Sequence, residues 1–270
     1  MLSCGERSLG SKQTSRPPPA SRRASSAPAV GSLGPSDILL QRALASTDAD
    51  ERARLAREAL ALDDPRRSPD TTFLLLRQLY LAHLEHERHE PAIAVAREML
   101  GVGVFADLAH NDLGRVHAAR GDFRAAIAAQ RDAIAAAPPE RRSFQAFFLA
   151  TLEQFSGDLR GALATVAKAE RWAGRDRPLV RALGAHLRLE AGLAVPSLDE
   201  IVHELSRSKA REGYGQYLLG MLAHQMGDVR RAGVHLRAFL RRNAAIERAK
   251  RITLEEELRR ARRILADQAD

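Results

Sequence analysis

The sequence predicts an all-α protein made of antiparallel helix pairs stacked in series, and three observations carry that prediction. Ala, Leu, Arg and Glu dominate the 270 residues, while aromatics make up only 4%. With β-branched residues also sparse, that mixture favours helix nearly everywhere. Amphipathic stretches of helix length then follow one another from Asp37 onward. Finally, Gly121, Gly157, Gly192 and Gly227 recur at intervals of 36, 35 and 35 residues, and Asp122, Asp158 and Asp228 follow three of them. Each glycine falls where the first helix of a pair must end, and each aspartate is placed to cap the second.

The elements read as follows. Asp37–Ser46 and Asp48–Leu62 make the first pair, with Thr47 as the expected N-cap between them. Thr71–Arg88 with Glu90–Leu100 is the second. Asp107–Arg120 and Asp122–Ala137 form the third, closed by Pro138-Pro139, which cannot continue a helix. Ser143–Ser156 with Asp158–Ala173, Pro178–Ala191 with Ser197–Ser208, and Gly213–Met226 with Asp228–Asn243 complete six pairs. A last helix, 253–267, is expected to open at Thr253 with Glu256 completing a capping box. Its stripe of Leu254, Leu258, Ala261 and Leu265 opposes Arg259, Arg260, Arg262 and Arg263, the pattern of a terminal cap. Glu255–Arg259 and Glu256–Arg260 are expected to pair along it.

Residues 1–35 are different material. Pro17-Pro18-Pro19, serine clusters and scattered arginines cannot bury enough surface to offset ordering entropy, so a disordered basic tail precedes a repeat domain over 36–270. The proline triplet argues against a transit helix, and Arg22-Arg23-Ala24-Ser25 fits a basophilic kinase site that such a composition also produces by chance. Leu2-Ser3-Cys4-Gly5 is similar to a lipoprotein cleavage box but lacks the charged and apolar regions that export requires, so a cytoplasmic location is expected unless translation starts upstream. Cys4 is the single cysteine, which excludes an intrachain disulfide and a cysteine-built metal site. No apolar run is long enough to span a membrane.

The net charge of +8 invites a nucleic-acid reading. Only Lys12, Lys168, Lys209 and Lys250 are lysines, however, and so strong an arginine skew reads as composition rather than as a phosphate footprint. No catalytic motif is present. His86-Glu87-Arg88-His89-Glu90 falls one residue short of the H-E-x-x-H zinc pattern. The flanking charges mark a solvated helix end. Neither enzyme activity nor a metal or cofactor is expected.

A period near 34 with two helices per unit resembles the tetratricopeptide repeat family. Leu113-Gly114, Ala126, Ala133 and Pro138 in the third pair carry the resemblance, as do Ala150, Ala162 and Ala169 in the fourth and Leu219-Gly220 and Ala232 in the sixth. It covers roughly residues 70–244 and is clearest over 107–140, 143–176 and 213–246. His110 and Gln216 replace the family's tryptophan, Gln130 its second-helix phenylalanine, and Ser197 and Glu204 stand at small-residue positions of the fifth pair. The resemblance implies a right-handed α-solenoid whose first helices line a concave groove. Carried over position by position, the groove residues are Asn111 and Arg115; Phe144, Phe147, Thr151, Gln154 and Phe155; and Tyr214, Tyr217, Met221, His224 and Gln225. Five of the chain's eleven Phe and Tyr residues fall in that set. A one-residue shift of register would bring Phe148 to the surface in place of Phe147, and packing between neighbouring first helices is the competing use for these rings. Asn111 and Arg115 are similar to residues with which some family members clamp a peptide carboxylate, but only this pair of the clamp is present. The function implied is that of an adaptor or scaffold that binds a peptide or helix of another protein, as a monomer or weak homo-oligomer. The alternatives are a nucleic-acid-associated regulator using the basic C-terminal region, or a cell-envelope factor similar to pilus-assembly repeat proteins.

Overall fold

In the computed structural model, which describes residues 33–244 and 248–268, the helices pack as successive pairs along the chain. The six pairs are α1 (Pro35–Ala45) with α2 (Ala49–Ala61), α3 (Pro69–Glu85) with α4 (His89–Gly101), α5 (Ala106–Ala119) with α6 (Phe123–Ala136), α7 (Pro139–Phe155) with α8 (Leu159–Trp172), α9 (Arg177–Glu190) with α10 (Leu198–Arg207), and α11 (Tyr214–Gln225) with α12 (Val229–Ala244). A 3-10 turn, Lys209–Arg211, precedes α11, and α13 (Arg248–Ile252) and α14 (Glu255–Asp267) follow the pairs. No strand occurs among the described residues. The reading of residues 1–35 as a tail falls almost wholly outside them.

Local chemistry sets the period. Gly121, Gly157, Gly192 and Gly227 hold φ of 83°, 88°, 70° and 77°. The amide after each returns to the carbonyl five residues back, as in Asp122 N to His117 O and Asp158 N to Glu153 O, both 2.9 Å. This bond closes the left-handed helix end that glycine adopts without a Cβ penalty. The aspartate that follows then accepts from the next helix: Asp122 from Ala125 N at 3.0 Å, Asp158 from Gly161 N at 2.8 Å, Asp228 from Arg231 N at 2.9 Å. In the second pair Glu87 takes the glycine's place at φ 55°.

Two expected caps are corrected. Asp48, not Thr47, caps α2, accepting from Glu51 N at 2.8 Å, because a carboxylate one residue nearer the helix reaches that amide. The expected capping box at Thr253 is not formed either. Thr253 follows α13, and α14 begins at Glu255 behind Leu254 with no side-chain cap.

The small-residue positions lie at the helix crossings. Ala126, Ala133, Ala150, Ala162, Ala169 and Ala232 are all fully buried. A Cβ on Gly220 would come within 2.6 Å of the Leu236 side chain and 3.2 Å of its backbone nitrogen, so α11 and α12 approach too closely for anything larger. The fifth pair departs from this pattern as its sequence does. Helix α10 is short and buries only Ile201 and Leu205, and Glu204 faces outward to pair with Arg181.

The core runs as two apolar clusters. One joins α1 to α5, with Phe73 and Tyr80 at its centre and Ala249 of α13 included. The other joins α7 to α12, centred on Leu183, Leu218, Tyr217 and Phe239, and includes Leu258, Ala261 and Ile264 of α14. Helix α14 therefore covers the last pair as a cap must.

Candidate functional site

First helices of successive pairs are tied at separations close to the repeat period. Asp112 takes a charge-assisted bond from Arg77 Nε at 2.7 Å, and its carbonyl accepts from the Tyr80 hydroxyl at 2.7 Å. Asp107 receives both arms of Arg141 at 2.7 Å, the bidentate geometry that best fixes orientation. Further along, the Nδ1–H of buried His186 donates to Gln225 Oε1 at 2.9 Å, and its Nε2 accepts from Gln154 at 2.9 Å. Burial holds this imidazole below its ordinary pKa, consistent with a neutral ring that donates through one nitrogen and accepts through the other. Gln154 also donates to Glu190, which accepts from Arg260 of α14 at 3.2 Å. A polar chain thus links α11, α9, α7 and α14.

A second ladder is aromatic. Phe144 meets Phe148 edge-on with ring centroids 4.7 Å apart, and Phe148 meets Phe147 at 6.0 Å. Phe147 meets Tyr214 at 5.2 Å, Tyr214 meets Tyr217 at 5.3 Å, and Tyr217 meets Phe239 at 5.3 Å. The ladder runs from surface to core, since Phe144 is 44% exposed and Tyr217 only 1%. At its outer end the Arg115 guanidinium lies 4.7 Å from the Phe148 ring centre, while Arg115 Nε donates to Asn111 Oδ1 at 3.0 Å.

Residue by residue, the expected groove set divides. Phe147, Tyr217 and Met221, at 3%, 1% and 4% exposure, belong to the apolar core, and their expected place on the concave surface is corrected. The cause is the one-residue register: Phe148, Thr151, Leu152 and Phe155 share a face of α7 at helical spacing and line a cavity of ≈ 470 Å³. Phe144 extends that stripe by one turn. Gln154 and Gln225 are held by the inter-helix bonds given above, and Asn111 accepts from Arg115 within α5. Arg115, Thr151 and Phe155 line the cavity, Tyr214 is half-buried, and His224 is exposed.

Sequence reasoning missed the opposite wall. The cavity is closed by Ile252, Thr253, Glu255, Glu256, Glu257 and Arg259 of the C-terminal segment, facing Ala118, Ala119 and Phe123. Arg260, expected to pair along its own helix with Glu256, instead reaches Glu190 and lies 5.6 Å from the Phe155 ring centre. Arg259 pairs with Glu256 at 2.9 Å and Arg262 with Glu255 at 3.6 Å. No group of three or more possible metal ligands occurs among the described residues.

Helix pairs in series, small residues at the crossings and glycine-ended first helices define a tetratricopeptide-like repeat fold. Two solved structures share it. The Pseudomonas aeruginosa protein PilF is 15% identical, with a TM-score of 0.55 over 82% of this chain and 97% of its own. PilW, a widely conserved type IV pilus biogenesis factor, is 14% identical, with a TM-score of 0.53 over 80% of this chain and 96% of its own. At these identities the likeness is one of fold. No protein-family model and no curated protein matches the sequence.

Proposed function

We propose that the protein is a non-enzymatic adaptor that holds a helix or extended peptide of another protein against the concave wall formed by α5 and α7. The observation that carries this reading is the aromatic stripe of α7. Phe144, Phe148 and Phe155 stand at helical spacing outside the packed core, with the Arg115 guanidinium stacked on one of them. Rings and guanidinium groups grouped in a concavity are the residue types that supply most binding energy at protein interfaces. These rings lie outside the apolar core cluster, whereas Phe147 on the same helix belongs to it. The test is a paired measurement on Phe148→Ala and Arg115→Ala. Each should weaken capture of the protein's partner at least about thirtyfold, the effect of truncating an anchor worth about 2 kcal/mol, while helicity and Tm stay near wild type. Unchanged affinity in both variants would refute the assignment.

The basic C-terminal region gives the nucleic-acid alternative little support, because Arg231, Arg242, Arg248, Arg259, Arg260 and Arg262 each sit against a carboxylate. A role in assembling cell-envelope structures takes its support from the shared fold with PilW. No helix among the described residues is long and apolar enough to cross a membrane, and the location that fits the adaptor reading best is the cytoplasm. Fractionation of cells of its native source separates the two locations.

A further inference from the structure

The segment 248–268 does more than cap the last pair. Arg248 of α13 pairs at 2.6 Å with Glu87 in the turn after α3, and Ala249 is buried in the core cluster of the first pairs. Glu257 accepts from the Tyr214 hydroxyl of α11 at 2.9 Å, Arg260 reaches Glu190 of α9, and the same guanidinium covers Phe155 of α7. One short segment thus touches the first helices of the second, fourth, fifth and sixth pairs, the helices that line the groove.

Its seating combines a core face with features that oppose it. Glu257 is buried at 5% exposure, facing Tyr214 and Tyr217 of α11 and Glu256 and Arg260 of its own helix. Burial pushes its carboxyl up to about 7, so charging it at neutral pH opposes the docked position. Leu258 and Ile264 are buried with Ala249 and Ala261, while Ile252, Leu254 and Leu265 are only half-buried against the core. The ion pair to Glu87 is exposed at both ends and weak, and the pair to Glu190 is half-buried.

We infer that residues 248–268 are a built-in occupant of the concave groove, and that the partner is an amphipathic helix of the same chemistry that displaces them. That chemistry is an acidic first turn (Glu255, Glu256, Glu257), an aliphatic stripe three residues apart (Leu258, Ala261, Ile264), and an arginine placed to reach Glu190 and Phe155. The inference rests on the concave face being the binding face, and it adds that this face is held closed until a competing helix opens it. Ligand-free protein is then mostly closed, which lowers the partner's measured affinity by the open fraction.

The test uses the full-length chain and a fluorescently labelled synthetic peptide of residues 248–268. Arg260→Glu places like charge against Glu190 and should release the segment, so the variant should take up the peptide at least about tenfold more tightly than wild type. Hydrogen exchange should quicken in 248–268 and stay unchanged in α9, α11 and α12. Glu257→Gln removes the buried carboxylate and should do the opposite, slowing exchange of 255–265 at least about threefold. Equal peptide uptake by wild type and Arg260→Glu, uptake by neither, or faster exchange throughout α9–α12 would overturn the inference. So would unchanged or faster exchange in Glu257→Gln. These failures leave the groove reading standing, because the loss of partner binding in Phe148→Ala does not depend on the segment being displaceable.

Discussion

Glu87 holds, at φ 55°, the left-handed turn that glycine holds in four later pairs, and a side chain there costs roughly 1 kcal/mol. Its ion pair with Arg248 is exposed at both ends and offsets only a few tenths. Glu87→Gly should therefore raise Tm by about 2–4 °C for a chain of this size, read in a thermal melt followed by circular dichroism. An unchanged or lowered Tm would show that the turn is not strained. Two buried titratable groups act in opposite directions. Burial lowers the His186 pKa, so the folded state binds that proton less readily than the unfolded state, and stability is lost as pH falls below about 6.5. Glu257 is raised from 4.5 to about 7, so the folded state keeps its proton longer and stability is lost as pH rises between those values. Relative to wild type, His186→Gln should gain stability on acidification from pH 7.5 to 5.5, and Glu257→Gln should lose it. Parallel slopes in the three proteins would contradict both assignments.

At the scale of the element, close approach decides what each helix tolerates. A Cβ on Gly215 would lie 2.0 Å from the Ala210 carbonyl oxygen, so Gly215→Ala must push the 3-10 turn off α11. Chemical denaturation should register a loss of more than about 2 kcal/mol, within the range of overpacked sites. Phe147→Ala and Tyr217→Ala should each cost about 3–5 kcal/mol, because both rings fill the core and neither is open to a ligand. The helix pairs and their crossings were legible in the sequence because glycine ends, aspartate caps and small residues at fixed spacing each answer a backbone requirement that allows few other residue types. The face of α7 was legible only to within one residue. Phe147 and Phe148 differ by about 100° around the helix, and with aromatics at 144, 147, 148 and 155 two registers present an equally aromatic stripe. The turn at Glu87 could not be read at all, since nothing in His86-Glu87-Arg88 marks a left-handed residue.

Across the whole molecule, each pair touches mainly its neighbours, so stability is shared along the array and the long-range ties are few. Among the described residues, the C-terminal segment supplies the longest of them, from Arg248 back to Glu87. Its path was not readable from sequence, because a terminal cap and a helix lying in a groove carry the same pattern of one apolar stripe and one charged face. The central claim is that the concave face, and not the convex one, meets the partner. A photo-crosslinking residue placed at Phe144, on the open end of the α7 stripe, tests it most directly against the same residue placed at Val234, which is exposed on α12 outside that stripe. In cells of the native source, position 144 should give a discrete adduct that excess peptide of residues 248–268 reduces, and position 234 should give none. The same adduct from both positions, or an adduct from 234 alone, would contradict the account.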